Sequence, residues 1–184
     1  MNYKLTAAII AATVSISCVD SLAGGARAIP RAQIQIPPVN PASFTTPKDN
    51  PYFPKAIGRT YIYAESDDEE TVYVAFMVLP ETKVIQGVTC TVIHDVVFTL
   101  VEDLGVVILE DTVDWHAWDN DGNVWYFGED TETLNEHGQV TGTSGSWEAG
   151  VDGAVAGIIM PADPKPTDAF RQEFFKGEAE DQAW

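Results

Sequence analysis

The sequence is poor in basic side chains and in cysteine. Its 184 residues hold 10 Lys and Arg against 28 Asp and Glu, with two Cys and three His, and the formal net charge is −18. Like-charge repulsion makes nucleic acid and anionic membrane surfaces poor partners for such a chain. We therefore expect no nucleic-acid partner, and a cationic ligand or a basic protein surface suits the charge. A charge that only maintains solubility is the alternative explanation.

Long apolar runs are also missing, apart from one near the N-terminus. Lys4 precedes the run LTAAIIAATVSIS, which is shorter than the roughly 20 apolar residues that span a bilayer. A charged start, a short apolar run and the small-residue site Ala26-Arg27-Ala28 are typical of a secretory signal. We predict a signal peptide over residues 1–28, with cleavage after Ala28 or, alternatively, before Gly24. The protein is then exported to the periplasm, the outer envelope or the extracellular space.

The two cysteines, Cys18 and Cys90, stand in different contexts. Cys18 ends the apolar run, where acylation would make a lipid anchor, although Ser15 stands where leucine is usual in a lipoprotein signal. Cys90 lies in the β-branched segment VTCTVIHDVVF, which predicts a buried and unreactive thiol. If Cys18 is cleaved off or acylated, the mature chain has no second thiol for an internal disulfide.

The remaining chain divides into a lead-in and one domain. Residues 29–56 are rich in proline and predict a linker or an extended strap. From residue 57 to residue 184, segments dense in Val, Ile, Thr, Tyr and Phe alternate with Gly, Asp and Glu clusters, without a helical period. This pattern predicts an acidic all-β domain. We expect a single antiparallel meander sheet, curled into a half-barrel, a barrel or a sandwich.

The segment DWHAWDNDGNVWYFGED, residues 114–130, has the densest set of chemically capable side chains. Asp119, Asp121 and Asn123 alternate around Gly122 and form a candidate calcium site, because they resemble the start of a calcium-binding loop. The match is incomplete, since Gly128 stands where the final acidic ligand would fall. The same residues also suit a tight hairpin turn with Gly122 at positive φ, and we favour the turn.

Aromatic side chains occupy both arms of this hairpin. We expect them to form core by cross-strand packing, whereas an exposed row that stacks on a sugar is the alternative. The histidines are His94, His116 and His137, and their spacing is not typical of zinc ligands. We expect His94 and His116 to be half-exposed strand residues and His137 to lie in a turn. The aromatic residues of the two arms are Trp115, Trp118, Trp125, Tyr126 and Phe127.

Five stretches are similar to a family of uncharacterised, exported bacterial proteins that are often lipoproteins. They are NPYFPKAIGRTYIY, ETKVIQGVTC, DGNVWYFGED, GSWEAGVDGAVAGIIMPADP and RQEFFKGEAED, and the similarity covers most of residues 50–181. This chain departs from the family at Lys55 and at Ala56-Ile57-Gly58, where members carry leucine and a proline-glycine turn. Members usually continue past the GEAED motif, which implies a shortened chain here. The resemblance implies a secreted β domain and assigns it no activity.

These observations give two hypotheses about function. The first is a non-catalytic envelope or extracellular domain that binds a small ligand or a basic protein surface, with divalent cations such as calcium as possible helpers. The second is a secreted hydrolase that acts on a glycan through two carboxylates, with the aromatic hairpin as its platform. The sequence contains no nucleophile elbow, phosphate-binding loop or metalloprotease motif, which favours the first hypothesis.

Mass spectrometry of the mature protein tests the predicted export signal. We expect an N-terminus at Ile29 or Gly24 if the domain is released, and a diacylated Cys18 if it is tethered. A mature protein that retains Met1 would contradict both forms of the prediction.

Overall fold

The computed structural model describes residues 38–66, 70–166 and 168–183. Its main feature is a large antiparallel sheet that is curled into a half-barrel, which confirms the predicted all-β class. The predicted signal over residues 1–28 and Cys18 lie outside the described residues. Within the described ranges, no helix has the length and apolar character needed to cross a membrane.

The described residues form eleven strands and one short 3-10 helix, Pro41–Phe44. The main sheet has the order β1-β2-β3-β4-β5-β8-β10, and β6 and β7 also pair with β5. Strands β9 and β11 form a separate ribbon. The strands are β1 Thr60–Ser66, β2 Thr71–Ile85, β3 Val88–Val101, β4 Gly105–Trp118, β5 Val124–Leu134, β6 Val140–Gly142, β7 Trp147–Glu148, β8 Val155–Met160, β9 Phe170–Arg171, β10 Glu173–Phe174 and β11 Gln182–Ala183.

Tight turns between long β-branched segments produce the meander. Strands β2 and β3 are joined by Gln86 and Gly87, which both have positive φ values of 50° and 79°. Ile85 pairs directly with Val88 across this two-residue turn. Positive φ at both central positions is the geometry of a type I′ turn, whose twist matches that of the flanking strands.

The two faces of the sheet differ in exposure near the β3–β4 turn. Val97 and Val107 are 5% and 7% exposed on one face, whereas Leu100 and Val106 are 59% and 62% exposed on the other. The inside of a curled sheet is less exposed than the outside, so we assign the face of Val97 and Val107 to the inside of the half-barrel. We call it the concave face and the other the convex face.

A bulge in β5 determines which side chains reach the concave face. Asp114 pairs with Glu129 and His116 pairs with Tyr126, so the one residue between them in β4, Trp115, is opposite two residues of β5, Phe127 and Gly128. Gly128 lies in this bulge with φ of 136°, and a Cβ atom there would collide with the backbone of Trp147. Glycine is thus required at this position. The bulge keeps Tyr126 and Glu129 on the same face as their partners in β4.

Residues 38–56, from the predicted lead-in, form a strap around the tip of the β4–β5 hairpin. Phe44 packs edge-on against Phe127 on the convex face, with ring centroids 5.8 Å apart. Phe53 packs edge-on against Phe76 on the concave face, at 5.6 Å. Between them, the amide of Lys48 donates to the carbonyl of the tip residue Asp119 at 3.0 Å. The strap therefore covers part of both faces.

Asn50 anchors the strap and is fully buried. Its side-chain nitrogen donates to the carbonyls of Gly122 and Pro161, at 2.8 and 3.0 Å. Its side-chain oxygen accepts from the amides of Tyr52 and Phe53, at 2.8 and 3.2 Å. The side chain uses all of its hydrogen-bonding capacity, so its loss removes a partner from buried and part-buried backbone groups at the tip and in the strap.

We expect Asn50→Ala to lower the free energy of unfolding by about 2–4 kcal/mol, because the carbonyls of Gly122 and Pro161 and the amide of Tyr52 lose this partner. Urea denaturation at pH 7 measures the change. The control is Asn40→Ala, which removes an exposed bond to the amide of Ala42 and should cost less than about 1 kcal/mol. Equal losses in the two variants would contradict the anchoring role of Asn50.

Candidate functional site

Four acidic side chains lie next to one another on the concave face. Asp95 comes from β3, Glu110 and Asp114 from β4, and Glu129 from β5, and the strand register places them on the same face. Asp114 is directly opposite Glu129. Asp95 is opposite Thr112, which puts it diagonal to both Glu110 and Asp114 at a spacing of about 7–8 Å. We call Asp95, Glu110, Asp114 and Glu129 the carboxyl row.

Neutral donors hold the centre of the carboxyl row. The hydroxyl of Tyr126 lies 2.6 Å from a carboxyl oxygen of Asp114, and both residues are buried. The ring of Tyr126 packs edge-on against Trp147, whose indole N–H donates to Glu173 at 2.8 Å. Glu173 thereby comes close to the row from β10 and adds a fifth carboxyl group to the same environment.

Burial raises the pKa of every member of this group. Burial and the charge of Glu110 raise the pKa of Asp95 to about 7. Burial and the charge of Glu173 raise the pKa of Glu129 to about 8. Burial and the charge of Asp181 raise the pKa of Glu173 to about 7. Burial likewise raises the pKa of Asp114 well above its usual range and that of Glu110 to a lesser degree.

The ion pairs of the described residues involve other acidic groups. Lys83 is an example: its ammonium lies 2.7 Å from Glu148 and 3.3 Å from the ring centroid of Trp115. None of these ion pairs joins a member of the carboxyl row to a Lys or Arg of the described ranges. The charge of His94 lowers the pKa of Asp95, but by less than burial and Glu110 raise it. The remaining ion pairs join His94 to Asp111, His137 to Glu136 and Lys165 to Asp163.

His116 lies beside the row and is 2% exposed, so the expectation of a half-exposed strand residue was wrong. The strap explains the difference, because Phe53 packs edge-on against the imidazole at 5.2 Å. Neither ring nitrogen has a hydrogen-bond partner among the described residues, and Oδ1 of Asp95 is likewise unpaired. Burial lowers the pKa of His116 to about 3, so the ring is neutral at physiological pH.

The predicted aromatic core is confirmed. All five aromatic side chains of the β4–β5 arms are at most 8% exposed. The alternative, an exposed aromatic row that stacks on a sugar, is therefore wrong. The strap covers both faces of the arms at the hairpin tip, because Phe44 packs against Trp125 and Phe127 on one face and Phe53 packs against Trp118 on the other.

Asp119 organises the predicted hairpin turn. One carboxylate oxygen accepts the amides of Asp121, Gly122 and Asn123, at 2.8–2.9 Å. The other accepts the side-chain N–H groups of Asn123 and Trp125, at 2.8 and 2.9 Å. Gly122 has the expected positive φ of 96°. The geometry thus agrees with the favoured turn.

Calcium binding by Asp119, Asp121 and Asn123 stays a prediction. The donors that surround the Asp119 carboxylate present positive hydrogens where a cation would lie. The side-chain oxygen of Asn123 accepts the amide of Ala162 at 2.9 Å, and Asp121 is exposed. In the described ranges, no group of three or more His, Cys, Asp or Glu residues is arranged to hold a metal ion.

Cys90 is the buried, free thiol that the sequence predicts. Burial raises the pKa of the Cys90 thiol to about 12. A hydrogen bond with the backbone of Ile85 lowers the pKa, but by less than burial raises it. A thiol with so high a pKa is protonated at neutral pH and is a poor nucleophile. Cys90 is therefore not a candidate functional residue, and the candidate site is the carboxyl row on the concave face.

A shallow depression of about 250 Å³ lies at the hairpin tip, lined by Pro47, Lys48, Asp49, Lys55 and Trp118. The ammonium of Lys55 is 5.5 Å from the ring centroid of Trp118. Asp49 uses a carboxylate oxygen to accept the amides of Asn50 and Lys55. Its two lysines give this depression a charge opposite to that of the carboxyl row, so we treat it as separate.

The sequence hypotheses did not identify the carboxyl row. A signal was present, because Asp95 and Asp114 occupy strand positions beside β-branched or aromatic residues, Val96 for the first and Val113 and Trp115 for the second. Alternation assigns every second residue of a strand to one face, so acidic residues on an otherwise buried face stand out. The register between strands, which the sequence does not fix, was needed to bring the acids together.

Comparisons with protein-family models, with curated proteins and with solved structures found no match. The function of the site is therefore inferred from its own geometry and chemistry.

The carboxyl row predicts that stability falls as the pH rises from 6.5 to 9. Asp95, Glu129 and Glu173 have a folded pKa of about 7–8, above the value near 4 of the unfolded chain. The folded state binds more protons than the unfolded state in this interval, so the free energy of unfolding decreases with pH. His116 is neutral in both states above pH 6.5 and opposes the trend only below that pH.

Urea denaturation at pH 6.5, 7.5 and 8.5 measures this dependence. We expect a loss on the order of 1–2 kcal/mol per carboxyl group after screening by solvent is allowed for. Glu129→Gln should flatten the slope and stabilise the protein at pH 8.5, whereas Glu132→Gln, at an exposed position of β5, should do neither. A stability that is constant or increases over this interval would rule out the raised pKa values.

Proposed function

We propose that this chain is an exported, non-catalytic binding domain whose concave face binds a cationic group of a small ligand or of a basic protein surface. The carboxyl row, whose members make no ion pair with Lys or Arg in the described ranges, is the observation that carries the proposal. The predicted signal peptide and the resemblance to exported bacterial proteins support the location outside the cytoplasm.

The electrostatics of the carboxyl row favour a cation over an anion or a neutral ligand. Asp95 and Glu129 hold their protons near neutral pH because burial and neighbouring acids destabilise their charged forms. A bound ammonium or guanidinium group would offset that destabilisation and replace the protons. The acidic composition of the whole chain adds a long-range field that attracts cations to this face.

The row is accessible from the open side of the half-barrel. Asp95, Glu110 and Glu129 are half-buried, whereas Asp114 lies behind them and is 6% exposed. A ligand would contact the three half-buried carboxyl groups directly. Asp114, bonded to the hydroxyl of Tyr126, would support them from below.

An aromatic wall stands next to the row. Tyr61 and Tyr63 lie on the concave face of β1, and Tyr63 is 54% exposed. The charge of Asp95 contributes to raising the pKa of Tyr63, behind burial and the effect of Tyr61, which places the phenol close to the row. A cation on an aliphatic stem, such as a lysine or arginine side chain, fits a surface with carboxyl groups beside aromatic rings.

One observation favours the second hypothesis, a carboxylate-dependent glycan hydrolase. Asp114 and Glu129 are directly opposite each other, and a raised pKa is a property of a general acid. The predicted aromatic platform of this hypothesis is buried, however. Binding of a cation is the function that the geometry supports better.

We expect a short arginine peptide to bind the mature protein and a citrulline peptide of the same length not to bind. Citrulline matches arginine in shape but has no charge. Isothermal titration calorimetry in buffers with different ionisation enthalpies should detect release of protons on binding at pH 7, because the carboxyl groups ionise. Affinity should rise with pH between 6.5 and 8.5, by at most about tenfold per unit for each proton released.

Two variants on the same strand make the experiment specific to the concave face. Glu129→Gln keeps the shape of the side chain and removes its charge, so it should weaken peptide binding about tenfold or more. Glu132→Gln changes the net charge equally, at an exposed position that pairs with Asp111 on the convex face, and should leave affinity within about twofold. Equal affinity for both peptides, or equal losses in both variants, would contradict the proposal.

A further inference from the structure

In the described ranges, strand β1 forms one edge of the main sheet and has little of the usual protection of an edge. Among the described residues it pairs only with β2, in an unbroken register from Thr60 to Ser66. Natural edge strands are commonly protected by lysine, proline or a bulge. The sequence of β1, TYIYAES, contains no lysine, proline or bulge and only one charged residue, Glu65 near its end, and Ile62 and Tyr63 are 59% and 54% exposed.

The register shows which backbone groups of β1 face outward. The amide of Val78 donates to the carbonyl of Arg59 at 2.9 Å, one position before the pair of Thr60 with Met77. Bonding alternates along an antiparallel pair, so Tyr61 and Tyr63 direct their N–H and C=O groups towards β2. Thr60, Ile62 and Ala64 therefore direct theirs to the free edge.

These outward groups are complementary to a second, antiparallel copy of β1. When Ile62 lies opposite Ile62 of the other copy, Thr60 lies opposite Ala64 at both ends. Each of these pairs is of the type that exchanges two N–H···O=C bonds. The outward N–H and C=O groups of one β1 strand then form hydrogen bonds with those of the other.

The side chains of β1 are complementary in the same register. Arg59 lies opposite Glu65 of the second copy, and Tyr61 lies opposite Tyr63. Arg59 and Glu65 are exposed, and the ion pairs of the described residues involve neither of them. The strand thus has a basic start and an acidic end, and only the antiparallel arrangement brings opposite charges together.

We propose that two copies of this chain form a symmetric dimer through antiparallel pairing of β1 with β1. The interface is isologous, as a two-fold axis through Ile62 requires. The main sheet continues from one copy into the other, and the tyrosine pairs join the two concave faces. Dimer formation does not depend on the proposed binding of cations, because the carboxyl row lies on β3, β4 and β5.

Sedimentation equilibrium and native mass spectrometry of the mature protein over a range of concentrations test the dimer. We expect a reversible monomer–dimer equilibrium. Ile62→Pro removes an outward N–H and leaves the bonds to β2 in place, so it should give a monomer with an unchanged far-UV circular dichroism spectrum. A wild-type protein that is monomeric at its highest soluble concentration, or a dimer that Ile62→Pro leaves intact, would overturn the proposal.

A matched pair of lysine substitutions tests whether the dimer forms through the edge strand β1 or through exposed apolar side chains elsewhere on the surface. Ile62→Lys should weaken the dimer about tenfold or more, because it brings two ammonium groups together on the two-fold axis. Val84→Lys replaces a side chain that is 65% exposed near the β2–β3 turn and should not change the equilibrium. Equal effects of the two substitutions would overturn the assignment of the interface to β1.

A charge exchange tests the register. Arg59→Glu and Glu65→Arg should each weaken the dimer several-fold, because each places like charges opposite each other at both ends. The double variant Arg59→Glu/Glu65→Arg should restore most of the affinity. If the double variant dimerises no better than the single variants, the proposed pairing of β1 is wrong.

Discussion

The carboxylate of Asp119 is the interaction on which the rest of the domain depends. It accepts three backbone amides of the β4–β5 tip and the side-chain N–H groups of Asn123 and Trp125. The strap wraps around this fixed tip, because Lys48 and Asn50 both form hydrogen bonds to its backbone. The strap in turn buries His116 and covers the end of the concave face. One acidic side chain thus couples a local turn to the environment of the candidate site.

The concave face has two features that lower the free energy of unfolding and that stable domains usually avoid. Carboxyl groups are buried beside one another, and polar atoms of His116 and Asp95 have no partner in the described ranges. Each unpaired buried polar group costs on the order of 1–3 kcal/mol. A surface that served only solubility would place its acidic residues in water, as the chain does at Glu102 and Asp103. The buried position of the row is therefore the feature on which the proposed binding function rests.

The fold was more predictable from the sequence than the site. Alternating β-branched residues and Gly-containing turns were sufficient to predict the meander, the buried Cys90 and the turn at Gly122. The carboxyl row was not predicted, because it depends on register and on the bulge at Gly128, which sequence alternation alone does not specify. The burial of His116 was mispredicted for a related reason. Its cover, Phe53, is a distant residue in a proline-rich segment that carries no strand pattern.

The anchoring of the strap has a consequence for the order of folding. Asn50 bonds to Gly122 and Pro161, which are 72 and 111 positions further along the chain. Contacts of such long range form late, because the entropy of closing the intervening loops must be overcome first. A chain that emerges from its N-terminus has no partner for Asn50 until most of the domain has been synthesised. The strap, which is made before the sheet, is thus fixed after it, and this order is compatible with the export that we propose.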